Sequence, residues 1–377
     1  MAEVRDEDLD LGERDDTEQA EFPPSERLIH TQAYDLSINT LKEQWDDGIL
    51  QIPDFQREYV WDNAKASRLI ESLLLNIPIP VLFFAETVDA KYQVVDGHQR
   101  IKSVVRYLEN EFPLSGLRIQ AEFKGLRFFQ LPDREQRFLK TRVMRAIIIG
   151  ADSASSMKFE VFERLNTGGL SLNAQEVRHG LNSGPFSDLL ATLEGDSDFR
   201  GCLNVTRPRK RMVDQELILR FFALRDRLPQ YRTPLARFLN EYMQDNRKPD
   251  NEWISVKTTL FQGTMRLIHD VMSDTAFRVT DVNGRPKERV INRAVFEAQT
   301  LIFSICDAGQ ARERADDIRL SLGALFADRN FDELIRRATG DRTRMLGRIR
   351  DTATAFEEAG VSANIELLGN VAFPLRP

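Results

Sequence analysis

The sequence predicts an α+β protein, with an α/β part first and a mostly helical part after it, and three observations carry that prediction. Short β-branched or apolar runs near residues 49–53, 81–84, 92–95 and 143–149 alternate with amphipathic helical stretches in the first half. From about residue 185 onward the apolar residues keep a helical period and no strand of length follows. The chain of 377 residues is also long enough to bury two cores. The expected division is an acidic tail at 1–26, an α/β domain at 27–182 and a helical domain at 183–377. The last boundary is soft, because no low-complexity linker marks it and no repeat of fixed period occurs.

Charge is not spread evenly. Residues 1–26 hold eleven Asp or Glu and two Arg, a charge of −9 against −7 for the whole chain, so residues 27–377 carry +2. The tail reads as a disordered solvating segment and the remainder as slightly basic. Its acidic first residues are unlike a basic secretory leader, and no apolar run approaches about 18 residues, so a cytoplasmic protein without a membrane partner is expected. Cys202 and Cys306 cannot build a disulfide framework or a zinc cluster and are expected to be reduced core thiols.

In chain order, residues 36–45 are helix-like, and residues 49–53 form a short strand stopped by Pro53. Asp62 is a good N-cap for a helix whose apolar face is Ala66, Leu69, Ile70, Leu73 and Leu74. Pro78 and Pro80 end it before a buried strand at 81–84. The strand at 92–95 leads through Asp96-Gly97 into a helix with Ile101, Val104, Val105 and Leu108 at i, i+3, i+4 and i+7. Residues 112–142 are mixed, with short strands expected around 119–123 and a helical turn near 133–140. A buried strand at 143–149 and a helix at 155–165 follow. Gly168 and Gly169 then make a turn, and Asn173 with Glu176 fits a capping box for the next helix. This last segment reads either as a helix-turn-helix joint or as a second glycine-lined wall of a ligand site, and its spacing favours the joint. Later helices are expected near 217–224, 235–242, 253–273, 288–307, 311–326 and 342–358.

The corner at Asp96-Gly97-His98-Gln99-Arg100 holds the chemistry. Glycine lets the backbone turn without a Cβ clash, and amides at a helix start are anion donors. Arg100 and Lys102 add positive charge, while Asp96 and His98 bring a carboxylate and an imidazole. The plain alternative is an ordinary strand-to-helix turn in which Asp96 caps the helix. In the helical half, Arg207, Arg209, Lys210 and Arg211 form one basic run. Arg336, Arg337, Arg342, Arg344, Arg348 and Arg350 form a second, at spacings that put several on one helical face. Such a stripe could neutralise DNA phosphates, or could be a solvated face paired with Asp316, Asp328, Asp332, Glu333 and Asp341. Surplus positive charge favours DNA, with Arg209, Lys210, Arg211, Arg342, Arg344 and Arg348 as the contacts.

Three blocks, matched in order, resemble the N-terminal domain shared by GmrSD-type modification-dependent restriction proteins, which is related to the ParB and sulfiredoxin fold. The first is Phe55-Gln56-Arg57-Glu58-Tyr59-Val60-Trp61 with the helix running from Leu69 to Pro80. The second is Val95-Asp96-Gly97-His98-Gln99-Arg100, similar to the family's Asp-Gly-Gln-Gln-Arg, with His98 where glutamine is usual. The third is Phe162-Glu163-Arg164-Leu165-Asn166-Thr167-Gly168-Gly169, continuing to Asn173, Gln175, Glu176 and Arg178. A weaker likeness runs from Arg211 to Leu217. The resemblance implies a ParB/sulfiredoxin-like domain in which the Gly97, Gln99 and Arg100 loop holds a nucleotide phosphate and Gln56, Arg57, Arg164 and Asn166 line the same pocket. It also implies defence against phage whose DNA carries hydroxymethylated or glucosylated bases.

Restriction proteins of this type use a His-Asn-His nuclease, in the same chain or in a partner. The four histidines, His30, His98, His179 and His269, are scattered, and no His-x-x-x-His, Cys-x-x-Cys, P-loop or Gly-x-Ser-x-Gly pattern occurs. Phosphodiester cleavage by this chain is therefore not expected. The favoured expectation is a DNA glycosylase that flips a modified base out of double-stranded phage DNA and hydrolyses its N-glycosidic bond without metal or cofactor. Asp96 is the first carboxylate, Asp54 and Glu58 the reserves, and His98 a proton donor. The alternative is an NTP-hydrolysing specificity subunit, using NTP with Mg and recruiting a separate nuclease, in which Asp96 orients water or metal and Arg100 holds the γ-phosphate. A non-catalytic DNA-binding protein ranks third.

Overall fold

The fold is α+β in a computed structural model that describes residues 28–52, 59–87, 89–165, 173–369 and 371–374. The chain divides into two compact units, one ending at Leu181 and one beginning at Asn182. The first contains β1 (Thr31–Ser37), α1 (Ile38–Asp46), β2 (Leu50–Gln51), α2 (Asn63–Leu74), β3 (Leu82–Glu86) and β4 (Tyr92–Asp96). It continues with α3 (His98–Leu108), α4 (Asp133–Thr141), β5 (Val143–Ile149), α5 (Ser155–Leu165) and α6 (Ala174–Leu181). The sheet order is β1-β5-β3-β4-β2. β3 pairs parallel with β5 and antiparallel with β4, and β4 pairs parallel with β2.

Strand side chains alternate between faces, so each face receives its own core. Leu82, Phe84, Val94, Met144, Ala146 and Ile148 meet the apolar sides of α1 to α4 on one face. Ala85 and Val95 meet Phe159 and Phe162 of α5 and Val177 of α6 on the other. The β3–β4 register slips between Phe83 and Phe84, which pair with Asp96 and Val94. The irregularity therefore falls at the end of β4, where bulges re-aim side chains. Asp62 caps α2 by accepting from Lys65 N at 2.7 Å, and Ala66, Leu69, Ile70, Leu73 and Leu74 are all buried, as their spacing requires.

Two local expectations need correction. No strand forms around 119–123; Ala121–Phe123 is a single 3-10 turn and Ile119 is exposed. The backbone amides there are committed elsewhere: Arg118, Ile119 and Gln120 donate to Glu71 Oε1 at 3.0, 2.8 and 2.9 Å. β1, which the pattern of residues 31–37 did not suggest, is an edge strand whose first five residues are exposed, and it forms by pairing antiparallel with β5.

Glu71 carries a pH signature. Burial alone would raise its carboxyl pKa, but the three amide bonds outweigh that and hold it below the ordinary value of 4.5. A depressed pKa contributes stability that is present above the unfolded value and lost as pH falls through the folded one. Glu71→Gln should therefore cost about 1–3 kcal/mol at pH 7. In urea titrations the gap between variant and parent should shrink below about pH 4; a constant gap would contradict the assignment.

The second unit is helical. Its helices are α7 (Pro185–Leu193), α8 (Ser197–Leu203), α9 (Val213–Arg227), α10 (Leu235–Asp245) and α11 (Asn251–Met272). They are followed by α12 (Arg293–Phe303), α13 (Ala308–Glu313), α14 (Ala315–Ala327), α15 (Arg329–Arg336) and α16 (Arg342–Glu358). Asp196, Asp250, Asn292, Asp307, Asp328 and Asp341 start α8, α11, α12, α13, α15 and α16 by accepting first-turn amides, which is why these helices begin where they do. The stretch expected as one helix over 311–326 is divided at Arg314. α12 is buried from Ala294 to Phe303, with Phe199, Phe221, Phe222, Phe261 and Phe296 packed in the same core. Cys202 and Cys306 are free thiols, and burial raises both, Cys306 to about 12. No helix among the described residues is long and apolar enough to cross a membrane.

Candidate active site

β4 ends at Asp96 and α3 begins at His98, and the whole reversal is made by Gly97 at φ +108° and ψ 6°. A Cβ at this position would lie 2.3 Å from Leu82 Cδ2 and 3.3 Å from Arg100 Nη2. Glycine is therefore required twice, by the left-handed backbone and by the packing. Gly97→Ala should cost about 2–4 kcal/mol, from left-handed strain plus overpacking, as read by denaturant unfolding. A variant as stable as its parent would remove this account of the corner.

Asp96 and Arg100 sit four residues apart across the turn. Arg100 Nη2 donates to Asp96 Oδ2 at 2.7 Å, while Nη1 donates to the carbonyl of Pro80 and, at 3.3 Å, to that of Val81. Burial lowers the guanidinium pKa and the Asp96 carboxylate opposes the shift. Arg100 is thus a buried clamp whose donors go to the chain ahead of β3 and to one carboxylate oxygen. Asp96 itself is 45% exposed, and its Oδ2 is the oxygen that Arg100 holds.

These contacts bear on how the corner is read. Arg100 turns its Nη1 group and an Nη2 donor inward, to Pro80, Val81 and Asp96. The space beside Gly97 that a Cβ would take is already filled by Leu82 and Arg100. Asp96 does not cap α3, since Gly97 holds the N-cap position and Asp96 instead pairs with Arg100.

The neighbouring wall comes from α3 and the segment entering α2. Gln99 Oε1 accepts from Val60 N at 3.0 Å and Trp61 N at 3.3 Å, Tyr59 Oη lies 2.9 Å from Ser103 Oγ, and the Arg106 guanidinium stacks 4.5 Å from the Tyr59 ring centroid. Gln99, Ser103 and Arg106 are spaced i, i+4 and i+7, and Ser103 and Arg106 extend the expected Gln99 into a polar stripe down α3 whose spacing is visible in the sequence. With Gln99 Oε1 accepting, its Nε2 is the donor to His98 Nε2 at 2.8 Å, which leaves that ring nitrogen as an acceptor. Of the other expected pocket residues, Asp54, Gln56, Arg57 and Asn166, with the reserve Glu58, lie outside the described residues.

The third block packs behind β4. α5 presents Phe159 and Phe162 to the face holding Val95, and Arg164 near its end is exposed and paired with Glu160 Oε1 at 2.6 Å. The capping box before α6 forms as expected: Asn173 N donates to Glu176 Oε2 at 2.7 Å and Glu176 N to Asn173 Oδ1 at 2.8 Å. Gln175 and Arg178 are buried, with Arg178 Nη1 3.2 Å from Gln175 Oε1 and its guanidinium over Phe159. Gln175 Nε2 is buried without a hydrogen-bond partner among the described residues. The last residues of the first block thus lie along α3, and α5 backs the strand that delivers Asp96.

The expected DNA contacts of the helical unit are largely used inside it. Arg348 is fully buried, pairing with Glu297 and donating to Thr339 O at 2.7 Å. Arg209 pairs with the buried Asp214 at 2.6 Å, as does Arg200. Arg342 donates to Tyr231 O at 3.0 Å and Arg344 to Glu333 O at 3.1 Å. Only Lys210 and Arg211 of the six are exposed. Helical spacing grouped the arginines correctly but could not show that one side of α16 meets Glu297 of α12.

Comparison with known proteins finds one family: residues 38–182 match the GmrSD restriction endonuclease N-terminal domain. No curated protein and no solved structure matches.

Proposed function

We propose that this protein, whose residues 38–182 match the GmrSD restriction endonuclease N-terminal domain, acts in restriction-type defence on modified phage DNA, as a glycosylase that removes the modified base. The observation that carries the reading is Asp96: a half-exposed carboxylate with one oxygen clamped by a buried arginine, at the end of a core strand. Such a group can take the proton of a water while that water's oxygen attacks C1′ of a flipped nucleotide, as the N-glycosidic bond breaks and the leaving base, keeping the bond's electron pair, takes a proton from solvent water. Its negative charge also favours the oxocarbenium-like sugar of the transition state. Tyr59 and Trp61, held along α3, offer aromatic surface for the extruded base. The family likeness adds Gln56, Arg57, Arg164 and Asn166 to the same nucleotide unit, with Asp54 in reserve, in a cytoplasmic protein with a ParB/sulfiredoxin-like domain at 27–182. Nothing in this reading calls on a cofactor.

The alternative, an NTP-dependent specificity subunit serving a separate nuclease, asks Arg100 to hold a γ-phosphate, and the clamp at Pro80, Val81 and Asp96 argues against it. The two readings separate in one experiment. Purified protein is incubated with plain and glucosyl-hydroxymethylcytosine duplexes, with and without NTP and EDTA, and abasic sites and free phosphate are counted. Abasic sites in the glucosylated duplex without NTP are expected; NTP turnover with intact DNA would overturn the glycosylase reading.

A further inference from the structure

A surface pocket of about 500 Å³ opens on the helical unit, and two of its lining residues, Arg336 and Arg337, begin the second basic run of the sequence. It lies at the end of α14, along α15, and beside a loop in which Thr280 bridges Pro286 and Lys287 N donates to Val279 O. Its charged lining is Lys287, Arg329, Arg336 and Arg337 against Asp332 and Glu333. Arg336 is fixed, its Nε on Asp332 Oδ1 at 2.6 Å and its Nη2 on Glu288. Lys287, Arg329 and Arg337 are exposed and form no ion pair among the described residues. The lining holds four cationic side chains against two carboxylates, a surplus of positive charge that an entering anion relieves. Guanidinium forks match the oxygens of a phosphate, and a cation cluster of this sign would be unsuited to an acidic protein segment only in geometry, so the phosphate group is the shared chemistry to test.

We propose that this pocket takes a phosphate of the DNA backbone and so helps anchor the duplex on the helical unit. The inference rests on the reading of DNA as the target and adds a site to it. The variant is Arg329→Gln/Arg337→Gln, two exposed positions whose loss leaves the core untouched; Lys124→Gln/Arg134→Gln, exposed in the other unit, is the control. Affinity for a plain duplex is measured against salt, since each phosphate contact contributes about 0.9 to the log–log slope.

The site variant should bind the duplex about tenfold more weakly, with a slope smaller by about 1–2, while the control stays within about twofold. Equal affinity and slope in parent and site variant would overturn the proposal. A second arm titrates parent and site variant with pyrophosphate. If the parent binds pyrophosphate through this pocket but binds no duplex, the phosphate site stands and both DNA as its source and the DNA-directed function fall. A parent that binds the duplex through other residues, with the site variant unaffected, leaves the function standing and removes the pocket. A parent that binds neither probe removes both.

Discussion

Asp96→Asn should keep the fold and lose base release by about 10²–10⁴-fold, the range typical of removing a general base. The amide can still accept the bond from Arg100 through its oxygen, so the fold should be kept, with a modest loss of stability because the buried guanidinium loses its counter-ion, while turnover falls. Arg100→Lys is the informative companion. Lysine cannot span the Pro80 carbonyl, the Val81 carbonyl and Asp96 Oδ2 with one planar fork, so Asp96 loses its fixed orientation. That variant should lose kcat with KM little changed, and lose stability as well, because the pocket around the guanidinium is buried. Full activity in Asp96→Asn would place the acting carboxylate elsewhere.

The largest effect on stability is expected in the other unit. Glu297 is 1% exposed and receives Arg220 Nη1 at 2.8 Å on one oxygen and Arg348 Nη2 on the other. Arg220 also bonds Glu216 Oε1, and Arg348 donates to Thr339 O, so α9, α12 and α16 are tied through one carboxylate. Glu297→Ala leaves Arg348, 0% exposed, as a buried cation without its counter-ion. The expected cost is about 3–5 kcal/mol, read by urea unfolding. Replacing Glu297 and Arg348 together by apolar residues of similar volume should cost much less than the single change, because the penalty arises mainly from the stranded charge.

What could be read from the chain was local. Asp62 and the spacing from Ala66 to Leu74 placed α2, the apolar run at 143–149 placed β5, and Asn173 with Glu176 placed the start of α6, because each signal lies within a few residues of the structure it makes. β1 gave no such signal: an edge strand with five exposed residues forms only because β5 arrives about 110 residues later to pair with it. The candidate site divides the same way. The i, i+4 spacing of Asp96 and Arg100 and the stripe of Gln99, Ser103 and Arg106 are visible in sequence. The carbonyls of Pro80 and Val81 that turn Arg100 into a clamp are not, and neither is Glu297 facing Arg348 from 51 residues away. An arginine reads as a ligand group until its counter-ion is located.

The most direct test of the central claim is the mass of the small molecule freed from a duplex containing glucosylated hydroxymethylcytosine, in EDTA and without NTP. The account predicts the free glucosylated base, one for each abasic site formed, with both strands intact and none released by Asp96→Asn. A released nucleotide, cut strands, or equal release by Asp96→Asn would contradict it.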